Sequence, residues 1–349
     1  MESTDVLVLG LGPAGASAAA GAARLSCKVI ALDRKREAGR PVQCAEFVPA
    51  MIGIDVCNLA GSVRQRIEAM ATFVEDDAPD LKQNFPGHML DRAAFDAALV
   101  TKAAQSGAQC RFACHIRKIT RAGIVELSDG QALRAQVIVG ADGPHSSAGR
   151  AIGSVNAELV ETRQITVALH KPHAATDIFL SAGIPGGYGW LFPKGDVANL
   201  GAGVTPAHQS RLKQIVARLH ASLVEEGRVG RELLGLTGGC IPVGGMLRPW
   251  GALGSTLVLL AGDAAGLANP VTGAGIAAAI HSGRLAGEAA AAAVAGDQRA
   301  AQAYQEELES IFKAALGRGA RRRAELAAST HGSKAALRRG WIAYPEYWQ

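Results

Sequence analysis

The sequence predicts an α/β fold: a discontinuous Rossmann-like domain, a mainly β insert within it, and a helical basic tail. Three observations predict it. Residues 5–33, DVLVLGLGPAGASAAAGAARLSCKVIALD, read as strand, tight turn, helix and strand. Two later apolar runs, at 137–139 and 256–261, each lead into a turn carrying glycine and aspartate. Between those two runs, residues 164–203 read as several strands of a second sheet.

The first run ends at Gly10, and Gly12 and Gly15 complete G-x-G-x-x-G before the run 29–32 closes on Asp33. This is the dinucleotide-binding fingerprint in its proper strand–turn–helix–strand context. Gly10 allows the turn, Gly12 lets the main chain approach a pyrophosphate, and Gly15 lets the helix pack close to the sheet. Pro13 and Ala14 complete the turn, whose helix N-terminus offers unpaired N–H groups to phosphates. Asp33 is placed to accept hydrogen bonds from a ribose.

An irregular segment, 34–49, follows, and then a helical or loop region to about residue 61. Residues 66–85 read as two strands around the turn Asp76-Asp77-Ala78-Pro79. Residues 91–106 read as a helix with Phe95, Ala98 and Leu99 on one face. Strands are expected near 109–120, 123–127 and 132–139, the last entering Gly140-Ala141-Asp142-Gly143. A helix is expected over about 208–226, a glycine-rich strand near 240–245, and a strand at 256–261 that ends on Gly262-Asp263. A long small-residue helix over about 273–295 and a second over about 299–327 complete the chain. The expected division is 1–61, 88–160 and 250–298 for the nucleotide-binding domain, 62–87 and 161–249 for the insert, and 299–349 for the tail.

The chain of 349 residues is 48% hydrophobic and only 5% aromatic, so sizeable cores are available and an aromatic cluster is a local event. The first strand begins too early to leave room for a signal peptide. No stretch matches the ~18 uninterrupted apolar residues of a membrane span; the nearest, 274–295, is broken by His281, Arg284 and Glu288. Six cysteines, at 27, 44, 57, 110, 114 and 240, include no C-x-x-C pair, which points to free thiols and a cytoplasmic location. Cys110 and Cys114, beside His115, have no metal-site spacing and read as structural, so no metal is expected. From Lys313 onward eight basic residues face only Glu325 and Glu346, so the tail carries most of the formal charge of +5. It reads either as a solvated helix face or as a docking surface for an acidic partner or an anionic membrane. Nothing accompanies it that suits nucleic acid.

Gly10, Gly12 and Gly15, the Asp142-Gly143 turn and the Gly262-Asp263 turn together resemble the three FAD signatures of the p-hydroxybenzoate-hydroxylase-type flavoproteins. Either aspartate turn alone would equally serve as a helix N-cap. The resemblance implies that Asp263 binds the ribityl chain or pyrophosphate. It implies also that Pro270, Gly273, Ala274, Gly275 and Ile276 bring the start of the long helix to the flavin. There a helix dipole would stabilise negative charge on the reduced ring. Arg92, in Asp91-Arg92-Ala93-Ala94-Phe95-Asp96, matches that family's D-R-x-x-F-D helix start and reads as a cofactor contact or as a surface ion pair.

Two segments resemble the geranylgeranyl reductase branch: Pro185-Gly-Gly-Tyr188-Gly-Trp190-Leu-Phe192-Pro193-Lys194, and Arg40-Pro41-Val42-Gln43-Cys44-Ala45-Glu46. On that likeness Arg34, Arg40, Cys44 and Ala45 would lie along the cofactor. Tyr188, Trp190 and Phe192 alternate and so share one face of a strand, either as an aromatic core cluster or as the wall of a substrate pocket. Cys44 is a buried thiol or a catalytic or gating group, and Glu46 an orienting group or an acid. Gly201-Ala202-Gly203 lacks a third glycine, so no separate NAD(P) domain is expected, and NAD(P)H would bind transiently in the substrate cleft.

The expected function is an FAD-dependent oxidoreductase acting on a small apolar, prenyl or aromatic substrate, or on a protein. Two chemistries fit: reduction of an isoprenoid or activated double bond, or hydroxylation of an electron-rich ring by a flavin-dependent monooxygenase. The run from Cys44 to Pro49 also resembles flavoproteins that hydroxylate a peptidyl tryptophan during quinone-cofactor maturation. A flavin-free binding protein of the same fold, like the prenyl-protein dissociation inhibitors, is the third reading.

Overall fold

Strands Ala132–Gly140, Glu2–Leu9 and Val29–Leu32 lie parallel and side by side at the centre of the largest sheet in the computed structural model, which describes residues 1–50, 61–328 and 333–349. Thr256–Leu260 extends this sheet in parallel on one side and Gln109–Arg111 on the other. Trp250–Leu253 forms an antiparallel edge, and the hairpin Ile116–Ile119 and Ile124–Leu127 hangs from Ala132–Gly140. The central strands are apolar throughout because both faces are covered, as parallel sheets require. Val6 to Leu9, Val29 to Leu32 and Val258 to Leu260 are all buried.

Two alanine-rich helices, Pro13–Arg24 and Ile276–Val294, pack on this sheet and on each other. Their contact is main chain on main chain. A Cβ at Gly283 would stand 2.1 Å from the Ala14 carbonyl oxygen, and one at Gly287 2.3 Å from that of Ala18. Helices this close must carry glycine at the crossing.

The insert is a seven-stranded sheet whose central strands are Leu159–Leu169, Val197–Val204, Gly189–Lys194 and Ala175–Leu180. Helix Leu212–Glu225 buries Leu212, Ile215, Val216 and Leu223 against one face of it. Between the two large sheets lies a small one, Phe47–Pro49, Gly87–Leu90 and Val63–Ile67.

Several expected elements are corrected. The segment expected to be irregular contains the strand Phe47–Pro49, because a short piece of it pairs with Gly87–Leu90. The two strands expected around the Asp76–Pro79 turn are Ala69–Val74 and Asp80–Lys82, paired antiparallel at the edge of the insert sheet, and the flanking strands Val63–Ile67 and Gly87–Leu90 belong to the small sheet. The glycine-rich strand is Val229–Pro242, much longer than its glycines suggested, since it pairs along nearly the whole of Leu159–Leu169. The long helix starts at Ile276, not Gly273, where φ of +70° ends any helical run. The tail helix comprises Ala300–Leu308, a π-helical turn Glu309–Lys313, and Ala314–Ala328. Helix Lys334–Arg339 and a final 3₁₀ turn, Pro345–Tyr347, went unpredicted. The helical or loop region expected before residue 61, and Cys57 with it, falls over 51–60 and outside the described residues. Among the described residues no helix is long and apolar enough to cross a membrane.

Candidate functional site

Strand register sets the site. Leu9 lies beside Leu32 and Gly140, and Gly140 beside Leu260. The Gly10 turn, Asp33, the Ala141–Gly143 turn and the Ala261–Asp263 turn therefore leave one edge of the sheet together. That is the edge at which α/β sheets bind ligands. Gly10 has φ of +95°, and a Cβ there would stand 2.3 Å from the Ala141 carbonyl oxygen. A Cβ at Gly15 would stand 1.8 Å from the Gly10 oxygen. Gly12 differs: nothing lies within 4 Å of the place its Cβ would take, and it caps the first helix without a side-chain hydrogen bond. Open space and unpaired helix N–H groups together form a cradle for an anion such as a pyrophosphate.

A cavity of about 630 Å³ runs from this cradle into the insert. At the cradle end Gly12, Pro13, Ala14, Gly143, Asp263 and Ala274 line it, and Gly273, Gly275 and Ile276 continue that wall. Helix Ile276–Val294 begins here with no side-chain cap, so a second set of helix N–H groups faces the same space. Among the described residues the Asp263 side chain accepts no hydrogen bond. Burial pushes its carboxyl up to about 6, against the pull of the Arg92 guanidinium. A half-buried carboxylate at a cavity wall with no hydrogen-bond donor among the described residues is poised to take a hydroxyl donor from a ligand.

Arg92 and Cys44 stand side by side in the middle of the cavity wall. The Arg92 guanidinium donates to both carboxylate oxygens of buried Asp96, at 2.9 and 3.0 Å. The ion-pair reading of Arg92 is therefore correct in kind, although the pair is buried and belongs to the cavity wall. Burial draws the guanidinium down, but Cys44 and Asp96 together hold it above its ordinary value. Glu46 has φ of +69° and its side chain is spoken for: Oε1 accepts from the Arg92 N–H at 3.0 Å, and Oε2 from Lys194 Nζ at 2.5 Å and Asn199 Nδ2 at 2.9 Å. A carboxylate with three donors is a strut that ties the start of helix Arg92–Gln105 to strands Gly189–Lys194 and Val197–Val204.

The far wall is aromatic. Tyr188, Trp190 and Phe192 all line the cavity from strand Gly189–Lys194 and its approach. Tyr188 donates to the Thr272 carbonyl at 2.6 Å, and Trp190 Nε1 donates to Gln164 Oε1 at 3.0 Å. Trp190 and Phe192 are buried in a core with Tyr188 packed against it, and all three rings also bound the cavity.

Not every expected residue reaches the cavity. Asp33 accepts from the Leu11 and Lys35 N–H groups at 2.7 and 2.8 Å and so fixes the glycine turn from behind. Asp142 accepts from the Ser147 N–H at 2.6 Å and from the Ser146 hydroxyl, the structural alternative for that turn. Burial raises its carboxyl. Arg34 and Arg40 are exposed, with Arg40 only 3.8 Å from Glu37. Pro270 is buried against Gly319, and Gly262 against Ala14.

Sequence reasoning missed the remaining walls. Phe47 and Phe85 line the cavity, and so do Trp341, Tyr347 and Trp348 from the end of the chain. A usable signal was present: four of sixteen aromatic residues fall between 341 and 348. Gln164 and Asn199, the lone amides of strands Leu159–Leu169 and Val197–Val204, were the other visible clue. The basic tail meets acid within its own chain. Lys334 contacts Asp76 at 2.7 Å and Asp77 at 2.6 Å, and Arg338 contacts Asp77 at 2.8 Å. These pairs hold Trp341 over the cavity.

Comparison with known proteins follows this geometry. Residues 160–240, the core of the insert, match the geranylgeranyl reductase catalytic domain. A digeranylgeranylglycerophospholipid reductase of Methanopyrus kandleri is 33% identical over 336 residues, covering 88% of this chain and 87% of that protein. The crystal structure of a geranylgeranyl bacteriochlorophyll reductase-like protein from Thermoplasma acidophilum superposes with a TM-score of 0.84 at 25% identity, covering 97% of this chain and 90% of that one. A probable FAD-dependent monooxygenase from Pseudomonas aeruginosa superposes at 0.70 with 20% identity, covering 96% and 98%, a likeness of fold alone.

Proposed function

The chain belongs to the geranylgeranyl reductase family of FAD-dependent oxidoreductases, and from that premise we propose that it saturates carbon–carbon double bonds in the prenyl chain of a lipid. One observation carries the reading: a single cavity connects an anion cradle at Gly12 to an apolar wall of Tyr188, Trp190 and Phe192. When bound, FAD supplies hydride chemistry, with NAD(P)H as the proposed transient donor.

The chain's own residues divide the work. Gly12, Pro13, Ala14 and Gly143 would hold the phosphates, and Asp263 would take a hydroxyl of the cofactor's ribityl chain. Ala274, Gly275 and Ile276 would turn a helix N-terminus toward the ring. Arg92 and Cys44 would flank the reacting end, while Glu46 and Gln164 position that segment. Trp190 and Tyr188 would keep water from the prenyl chain. The division into an FAD domain (1–61, 88–160, 250–298), a substrate domain (62–87, 161–249) and a tail (299–349) goes with this proposal. The five described cysteines are free, which suits a reducing compartment such as the cytoplasm.

The reductase reading is favoured over ring hydroxylation because the relatives matched over most of the chain are reductases by name. The open cradle and unpartnered Asp263 speak against a flavin-free binding protein. The test is anaerobic incubation of the FAD-loaded, chemically reduced protein with a geranylgeranylated glycerophospholipid, read by mass spectrometry. The product should gain two hydrogens per double bond. Product that forms only with oxygen and carries an added oxygen atom would overturn the proposal.

A further inference from the structure

A second cavity, of about 330 Å³, lies behind the aromatic wall. Tyr188 and Trp341 line both cavities, and their ring centroids are 4.8 Å apart, so the two spaces meet at this pair. The walls of the second are mostly apolar, from Leu159, Val243, Val271 and Leu337. One cation enters it, Arg323 of helix Ala314–Ala328.

Arg323 has no hydrogen-bond acceptor and no ion pair among the described residues, unlike Arg322. Arg322 is spent on Glu325 and on the Glu346 and Tyr347 carbonyls, and Arg318 lies 5.3 Å from the Trp348 ring centroid. Among the described residues Glu158, exposed at the rim, is the one carboxylate lining the cavity, and it forms no ion pair with Arg323. Burial pulls the guanidinium below the ordinary arginine value, and Glu158 offsets this only in part. A half-buried guanidinium at a cavity wall without a hydrogen-bonded counter-ion is a receptor for an anion. The planar fork of arginine suits phosphate oxygens in particular.

We propose that the second cavity seats the phosphate of a lipid headgroup, with Arg323 as its counter-ion and the apolar walls taking the adjoining glycerol and first methylenes. The prenyl chain then reaches the large cavity at the shared Tyr188–Trp341 wall, whose packed rings part to admit it. This rests on the prenyl-lipid reading and adds to it the feature that selects phosphorylated substrates. The phosphate could come from a lipid or from free inorganic phosphate, and the apolar walls favour the lipid.

The test uses the FAD-loaded full-length protein and its Arg323→Met variant, with Arg323→Lys as the charge-conserving control. Flavin content and circular dichroism confirm folding of each. Calorimetric titration with a short-chain phosphatidic acid below its micellar concentration should show binding to the wild type. Arg323→Met should weaken it by about tenfold or more, and Arg323→Lys by less. Inorganic phosphate should bind far more weakly. Equal binding by wild type and Arg323→Met overturns the site, and inorganic phosphate that binds as tightly as the lipid overturns the headgroup assignment. In turnover, Arg323→Met should raise KM for a prenyl phospholipid by a similar factor with kcat kept, and leave a prenyl alcohol of equal chain length unaffected. Equal losses on both substrates would show a merely structural role. If the wild type reduces neither substrate, the reductase reading fails while the titration still decides the site.

Discussion

Trp190 Nε1 donates to Gln164 Oε1 at 3.0 Å, and the amide nitrogen of the same Gln164 donates to the Cys44 carbonyl at 3.1 Å. One side chain thus ties the aromatic wall to the segment expected to flank the reacting end. In Gln164→Leu the indole N–H loses its acceptor inside the protein, at a cost of about 1–3 kcal/mol. Denaturant unfolding should show that loss. Flavin content should hold, and KM for the prenyl substrate should rise. Unchanged stability and KM would mean that the amide link is idle.

Gly283 tests the helix crossing. In Gly283→Val a side chain must enter where the Ala14 carbonyl oxygen stands 2.1 Å from the Cβ position, which forces the two helices apart. Both helix N-termini reach the cofactor cradle, so the variant should lose FAD affinity as well as about 1–3 kcal/mol of stability. Retention of a full complement of flavin would contradict the role given to the crossing.

Asp263 gives a pH prediction for the FAD-free protein. Its carboxyl ionises near 6 in the folded chain against an ordinary 3.8. The unfolded chain therefore releases this proton first as pH rises, and folding becomes less favourable between about pH 4 and 6 and stays so above. Asp263→Asn lacks that penalty. Its stability, followed by melting at each pH, should gain on the wild type as pH rises from 4 to 7, by up to about 3 kcal/mol at neutral pH. A constant difference across that range would show an unperturbed carboxyl, and the variant should in any case bind FAD more weakly.

Glu46 separates a strut from an acid. Glu46→Gln leaves Lys194, whose side chain is only 19% exposed, without its counter-charge. The expected loss is about 3–5 kcal/mol, much of it recovered in the double variant with Lys194→Met. Double-bond reduction should persist at temperatures where the variant is folded. Abolished turnover in a folded, flavin-loaded Glu46→Gln protein would restore Glu46 as the acid.

The cofactor end of the fold was legible because main-chain geometry leaves little choice of residue. Gly10 with its positive φ, Gly15 against a carbonyl, and the strand ends before Asp33, Asp142 and Asp263 all leave marks in sequence. Whether an aspartate faces a ligand or its own helix leaves no such mark, so Asp142 and Asp263 looked alike and differ in the structure. The far wall was poorly legible for another reason. Trp341 is placed by ion pairs from Lys334 and Arg338 to Asp76 and Asp77, more than 250 residues earlier in the chain. No local periodicity encodes a contact of that range. Glu46 read as an orienting group or an acid, and nothing nearby in sequence announced Lys194 or Asn199 to decide between them.

The glycine-studded crossing of the two alanine helices also bears on how such a chain can change over time. Where main chain touches main chain there is no side chain left to trim or enlarge, so that half of the molecule is closed to gradual adjustment. The ring-lined half has no such restriction: a tryptophan or phenylalanine there can be exchanged for a smaller group without disturbing the crossing. New substrates can therefore be acquired while the redox machinery is inherited intact.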